Sequence, residues 1–224
     1  MSKKNWHPVL KKSISAYDWY MKHNNTIPFC KVCNHQLSFV SKASSKRTMH
    51  FRHPDNSRCP TILENANLYS NLTPQLKDTS NALELKEWVK ENGYLLYKQM
   101  CFILGGSMKW SEFTEILLLG KQRDIFLYSG LTTNLLPYTL LANYGIFPKI
   151  KGRTGRDFSC FMCFSPTVSS FEQLWNEPTE ESSHIFRIYP KINKYEVLTI
   201  GEFPSFGNLT PPDYVQGYID SANL

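Results

Sequence analysis

Residues 29–60 read FCKVCNHQLSFVSKASSKRTMHFRHPDNSRCP, with three cysteines and three histidines set among basic and polar residues and little apolar material. A segment of this composition cannot bury enough surface to fold on hydrophobic burial alone. Two residues separate Cys30 from Cys33, the spacing that lets two thiolates on one tight knuckle turn converge on a tetrahedral ion. Sixteen residues separate Cys33 from His50-Phe51-Arg52-His53, and Cys59 follows just before Pro60. Five potential ligands therefore compete for four positions. A Zn(II) ion held entirely by S and N ligands keeps no place for water, which predicts a structural metal rather than a catalytic one. Such an ion contributes on the order of 10 kcal/mol to the folding of a metal-dependent segment.

The predicted ligands are Cys30, Cys33, His53 and Cys59. If residues 50–53 are extended, His50 and Arg52 point to one side and Phe51 and His53 to the other. His53 opens the turn HPDNSRC, so that with Cys59 it builds a second knuckle mirroring the first. His50 is the alternative to His53. Phe39 and Phe51 either stack on bases or cover the metal knuckle.

Working outward, charge is unevenly placed. Residues 1–60 hold eleven Lys/Arg against Asp18 and Asp55, whereas the rest of the chain holds fourteen basic and seventeen acidic residues. Clustered cations favour polyanions, because each phosphate contacted releases condensed counterions. Lys42, Lys46, Arg47, Arg52 and Arg58 are the expected phosphate contacts. An acidic protein partner or a solvated face accounts for the same cluster. Apolar runs such as LLYKQMCFIL are far shorter than a membrane span needs, and no secretory signal is visible at the basic N-terminus. Six cysteines are then expected in a reducing cytoplasm, as ligands, core residues or thiols rather than disulfides.

The knuckle Cys30-x-x-Cys33 with Leu37 after it, the basic stretch ending in His50-Phe51-x-His53, and the later Cys59 resemble the N-terminal zinc-binding module of the competence protein CoiA-like family. The resemblance covers about 30 residues, Cys30 to Cys59. It implies a link to bacterial DNA uptake and recombination or to phage and mobile-element loci. It also implies that the module is joined to a restriction-endonuclease-like domain.

The remaining sequence predicts an α+β protein of two parts: a basic zinc-binding module over 1–62, a connector over 63–78 containing Pro74, and a mixed α+β domain over 79–224. Over 8–22 the sequence predicts either a short helix opened by Pro8, with Leu10, Ile14, Tyr17 and Met21 on one apolar stripe, or a strand. TSNALELKEWVKENG, from Thr79, reads as a helix stopped by Asn92-Gly93. YLLYKQMCFIL (94–104) reads as a buried strand following it, in the order with which the family's nuclease-like domain begins. SEFTEILLLG and RDIFLY read as short apolar runs between turns, and LTTNLLPYTLLANYG as a helix with Pro137 in its first turn. DFSCFMCF, HIFRIYP and YEVLTIGEF read as strands, the last two forming a hairpin. Cys160 and Cys163 are expected in the core. KIKGRTGRD reads as a basic loop that either clamps phosphate or forms an exposed tip, and the C-terminal segment as a cap or tail.

A nuclease of the kind implied needs a carboxylate on one strand and a Glu-x-Lys on the next to hold a divalent metal. Glu112, Glu115, Lys121, Arg123, Asp124, Glu196 and Glu202 do not fall in that pattern, so any such domain is expected to be degenerate. Neither a Walker-type loop nor a nucleophile elbow occurs. No catalytic residue is assigned. The sequence therefore favours a non-catalytic nucleic-acid-binding or adaptor protein. A metal-dependent nuclease and a protein-interaction subunit or inhibitor scaffolded by zinc remain the alternatives.

Overall fold

The computed structural model of the chain describes residues 4–7, 12–41, 48–65, 69, 72–152, 155–164, 170–176, 184–192, 194–207 and 209–224. The fold is α+β. The chain divides into two compact units, Met1–Asn65 and Ala66–Leu224. The first carries eleven Lys/Arg against three Asp/Glu, the second fourteen against sixteen. Among the described residues no helix is long and apolar enough to cross a membrane.

Among the described residues the first unit holds two short hairpins, one helix and a 3₁₀ turn at Leu63–Asn65. Strands β1 (Lys4–His7) and β2 (Lys12–Ser15) pair antiparallel, as do β3 (Ser38–Val40) and β4 (His50–Arg52). Helix α1 (Ala16–Lys22) begins later than the Pro8 start expected from sequence. Ser15 Oγ accepts the Asp18 N–H at 3.0 Å, an N-cap bond that fixes the start. The expected apolar stripe is displaced as well: Ala16 and Trp19 are buried, whereas Tyr17 and Met21 face solvent. Residues 8–11 lie outside the described residues. Trp19 packs edge-on against Phe51, which also meets Phe39, with Tyr20 at the far side of Phe39. Phe51 is only 2% exposed, so this ring belongs to the unit's small core and is not a platform for bases.

The second unit is mainly helical. Helix α2 (Thr79–Leu104) is capped by Asp78, whose side chain accepts the Asn81 N–H at 3.0 Å. It runs straight through Tyr94–Leu104, where a strand was expected. The reason is a stripe at helical spacing, Leu85, Val89, Leu96, Met100 and Ile103, that is buried along the whole length and outweighs the aromatic, strand-like composition of the second half. Asn92-Gly93 does not stop the helix but kinks it, with Asn92 at φ −115°, ψ 19°. Gly93 is needed there: a Cβ would lie 2.3 Å from Ile219 Cδ1, so glycine lets the C-terminal segment approach. That segment, expected as a cap or tail, is helix α6 (Val215–Ser221), with Val215 and Ile219 buried.

Helix α3 (Trp110–Gln122) absorbs EILLLG, and a 3₁₀ turn at Ile125–Leu127 absorbs part of RDIFLY. Helix α4 (Leu136–Tyr144) forms with Pro137 in its first turn, as expected, and ends at Gly145 with φ 108°. Residues Leu136 to Asn143 are all buried, and α4 packs against α2, α3 and β5 (Phe161–Cys163). A helix buried all round marks the centre of the unit. A short helix α5 (Gln173–Asn176) precedes strands β6 (His184–Tyr189) and β7 (Lys194–Thr199), which form the expected hairpin. Together β5, β6 and β7 make a three-stranded antiparallel sheet in that order. Cys160 and Cys163 are buried at its core edge. Within the segment read as a connector, Tyr69 is buried against Phe164 and Phe171 and donates to Phe164 O at 2.9 Å.

Candidate metal centre

The first knuckle is built by a bridge between Phe29 and Gln36. Within it Asn34 N–H donates to Cys30 O at 2.8 Å and Cys30 N–H to His35 O at 2.9 Å. Asn34 takes a left-handed conformation, φ 54°, which asparagine tolerates and which lets the chain reverse. Both sulfurs are thereby turned to one side. The β3–β4 register, with Ser38 opposite Arg52, carried one residue further places His53 beside Leu37 at the foot of this knuckle. The second knuckle turns at Asn56, φ 63°. Cys59 N–H donates to Ser57 Oγ at 3.2 Å, and Asn65 Nδ2 donates to Ser57 O and Cys59 O, each at 2.9 Å.

The result is a cluster of Cys30, Cys33, His53 and Cys59 whose ligand atoms all lie within 4.8 Å of one another. It is the group of this kind that the described residues contain. Cys30 Sγ and Cys59 Sγ are 3.7 Å apart. A tetrahedral ion with metal–sulfur bonds of about 2.3 Å sets sulfurs about 3.8 Å apart, so the spacing fits. All three cysteines are buried, and His53 Nε2 is buried without a hydrogen-bond partner. His50 is not in the cluster: it stands opposite Val40, and its Nδ1 lies 3.0 Å from Thr48 O.

Electrostatics point the same way. The Cys30 thiol is pushed far down because Cys33 and Cys59 donate to it, while Cys59 is pushed far up because it donates to Cys30 and Cys33. Burial alone would lower the His53 imidazole, but the adjoining Cys30 and Cys33 sulfurs raise it to about 9. Three sulfurs this close cannot all ionise beside one another, whereas a divalent cation among them removes the repulsion. The Cys₃His set is thus compatible with a metal site.

Of the expected phosphate contacts, Lys42, Lys46 and Arg47 lie outside the described residues. Arg52 and Arg58 are exposed on the stretch that carries the second ligand pair, Arg52 in contact with Asp55. Sequence reasoning missed Asn65 and Thr61, whose hydroxyl lies 3.0 Å from Cys59 Sγ. Amide-to-carbonyl support depends on how the loop folds and leaves no spacing signal.

Of the carboxylates weighed as nuclease ligands, Glu202 is exposed and the other four are engaged elsewhere. Glu112 meets Arg156 at 2.8 Å and accepts the Lys109 N–H at 2.9 Å. Glu115 accepts from Tyr144 OH at 2.7 Å, and Asp124 meets Lys77 at 2.5 Å. Lys121 donates to Asn223 O and Arg123 to Asn143. Arg156 of the KIKGRTGRD loop is neither phosphate clamp nor exposed tip, because it is buried on Glu112. Arg153 lies outside the described residues. Glu196 accepts from Arg187, Tyr189 and Lys194. Burial would raise its carboxyl, but bonds from Lys194, Arg187 and Tyr189 hold it at about 2. A pKa lowered on folding stabilises the fold above the ordinary carboxylate range. That stability is expected to drain away as pH falls from about 4.5 towards 2. Denaturant titrations across that window test this, since Glu196→Gln is expected to flatten the change.

No protein-family model matches the chain, and no curated protein or solved structure matches it.

Proposed function

We propose that the protein is a non-catalytic, zinc-containing nucleic-acid-binding or adaptor protein of a cytoplasmic bacterial or phage DNA- or RNA-handling system. The observation that carries the reading is a closed Cys₃His cluster in a unit with eleven Lys/Arg against three Asp/Glu. Zn(II) suits three thiolates and an imidazole better than hard cations, which prefer oxygen. With four protein ligands, the ion is structural: it fixes the loops that carry Arg52 and Arg58. The likeness of the knuckles to the CoiA-like module belongs to the same reading, as does the pairing of Glu112, Asp124 and Glu196 with cations.

Fluorescence anisotropy with labelled DNA and RNA across a salt series tests the proposal. Arg52→Gln/Arg58→Gln is expected to weaken binding on all sequences alike. It is also expected to lower the slope of log affinity against log salt by about 0.9 for each duplex phosphate that is no longer neutralised. Absence of binding at low salt overturns the nucleic-acid reading. A protein partner then leads, supported by Tyr17, Met21, Ile27 and Phe29, all of which are exposed on the first unit.

A further inference from the structure

The second unit has more acidic than basic residues, yet one part of its surface reverses that balance. An antiparallel ladder runs from the Phe147–Cys160 bridge to the bond from Ile150 N–H to Arg156 O at 3.1 Å. Lys149 and Phe158 therefore lie between the same two rungs. Lys149 and Lys151 are exposed, and Phe158 is 46% exposed, although a phenylalanine next to a closed core would ordinarily turn inward. The Phe158 ring meets the Tyr189 ring nearly perpendicularly, 80° at 6.2 Å. Tyr189 in turn lies under two cations, Lys194 Nζ at 5.5 Å and the Arg187 guanidinium at 5.9 Å. Lys191 is exposed on the β6–β7 turn. The carboxylates on these segments are Asp157 and Glu196, and Glu196 is spent on Arg187 and Lys194.

We infer that this patch is a second nucleic-acid contact, selective for single strands. Exposed lysines follow a phosphate backbone. A solvent-facing aromatic ring held from behind offers a stacking surface that only an unstacked base can use. A duplex keeps its bases stacked and engages the lysines alone. An acidic protein segment would satisfy the lysines but leaves the exposed Phe158 face unused, so charge and ring together favour the single strand. The ligand class is shared with the reading above, but the site and the observations behind it are separate.

The test uses the full-length, metal-loaded protein and a fluorescein-labelled oligothymidylate of about 16 nucleotides, the upper end of single-domain site sizes, beside a duplex of equal length. Phe158→Ala is expected to weaken single-strand binding about tenfold with the salt slope unchanged, to leave duplex binding unaffected, and to be rescued by Phe158→Trp. Lys149→Gln/Lys151→Gln is expected to lower the single-strand salt slope by about 0.7 per lysine. All these positions are exposed, so unfolding profiles should match the parent. If the parent binds the oligonucleotide but these variants bind as it does, the patch is overturned while the first-unit reading stands. If the parent binds nothing at low salt, both fall. Weakening of duplex and single strand by equal factors in Phe158→Ala overturns the stacking role.

Discussion

Stripping the metal with a strong chelator is expected to unfold the first unit and leave the second folded. Zinc-type structural sites contribute on the order of 10 kcal/mol, and the first unit has little to set against that loss. Its buried apolar side chains outside the ligands are few, chiefly Ala16, Trp19, Val32, Leu37 and Phe51, and its hairpin strands are three or four residues long. Elemental analysis should find about one zinc per chain, as one four-ligand site requires. Cys33→Ser and His53→Ala are expected to lose the ion, whereas His50→Ala keeps it, because His50 lies outside the cluster. The readout is the dispersion of the Trp19 and Phe51 ring signals in proton NMR, with re-addition of zinc restoring it. A chelated protein that retains those shifts, or a folded preparation that never contained metal, would remove the metal from the account of the fold.

Arg156→Ala is expected to cost the second unit about 3–5 kcal/mol, the usual cost of leaving one half of a buried ion pair behind. Arg156 and Glu112 side chains are 2% and 9% exposed. The guanidinium donates to Glu112 Oε1 at 2.8 Å, to Ser107 O at 3.0 Å and twice to Pro148 O, while lying over the Phe147 ring at 5.3 Å. One side chain thus ties the loop before β5 to the start of α3. Its removal leaves a buried carboxylate unpaired and two part-buried carbonyl oxygens without their donor. Arg156→Lys should recover little, because a single ammonium cannot reach three acceptors arranged for a fork. Arg156→Met/Glu112→Gln should recover part of the loss, since it removes the unpaired charge while the amide oxygen of Gln still accepts the Lys109 N–H. Urea denaturation monitored by tryptophan fluorescence measures each variant. A single-variant loss below about 1 kcal/mol would mean that the pair is solvated rather than buried.

The Cys₃His cluster was legible because knuckle spacing is local chemistry. Two cysteines two residues apart can meet one ion whatever surrounds them, and the second pair had only to be found. Between His50 and His53 the deciding fact was register: with Ser38 opposite Arg52 and Val40 opposite His50, the ring that follows the strand, not the one within it, reaches the first knuckle. In the sequence, the turn HPDNSRC with Cys59 beyond it favours His53, with His50 as the alternative. Helix α4 was legible from its proline and its closing glycine, and the β6–β7 hairpin from two apolar runs around a short polar turn.

Tyr94–Leu104 was misread because composition and periodicity disagreed. Tyrosines and phenylalanine suit a strand, but burial at every third or fourth residue rewards a helix, and Asn92-Gly93 could not end it once Ile219 packed on the glycine. That correction removes the helix-then-strand order on which the comparison with a nuclease-like domain rested. Arg156 was misjudged for a related reason: among Lys149, Lys151 and Arg153 it reads as one more surface cation, and its burial is fixed by Glu112, which is 44 residues away.

By itself, the sequence determined what depends on near neighbours: three cysteines at knuckle spacing with two candidate histidines, a basic first unit, a proline-started helix and a hairpin. Only the tertiary structure decided which histidine joins the cysteines, that α2 continues through its kink, and which charges face water. Those outcomes depend on partners far along the chain, and a side chain's environment is set by what packs against it rather than by the residues beside it.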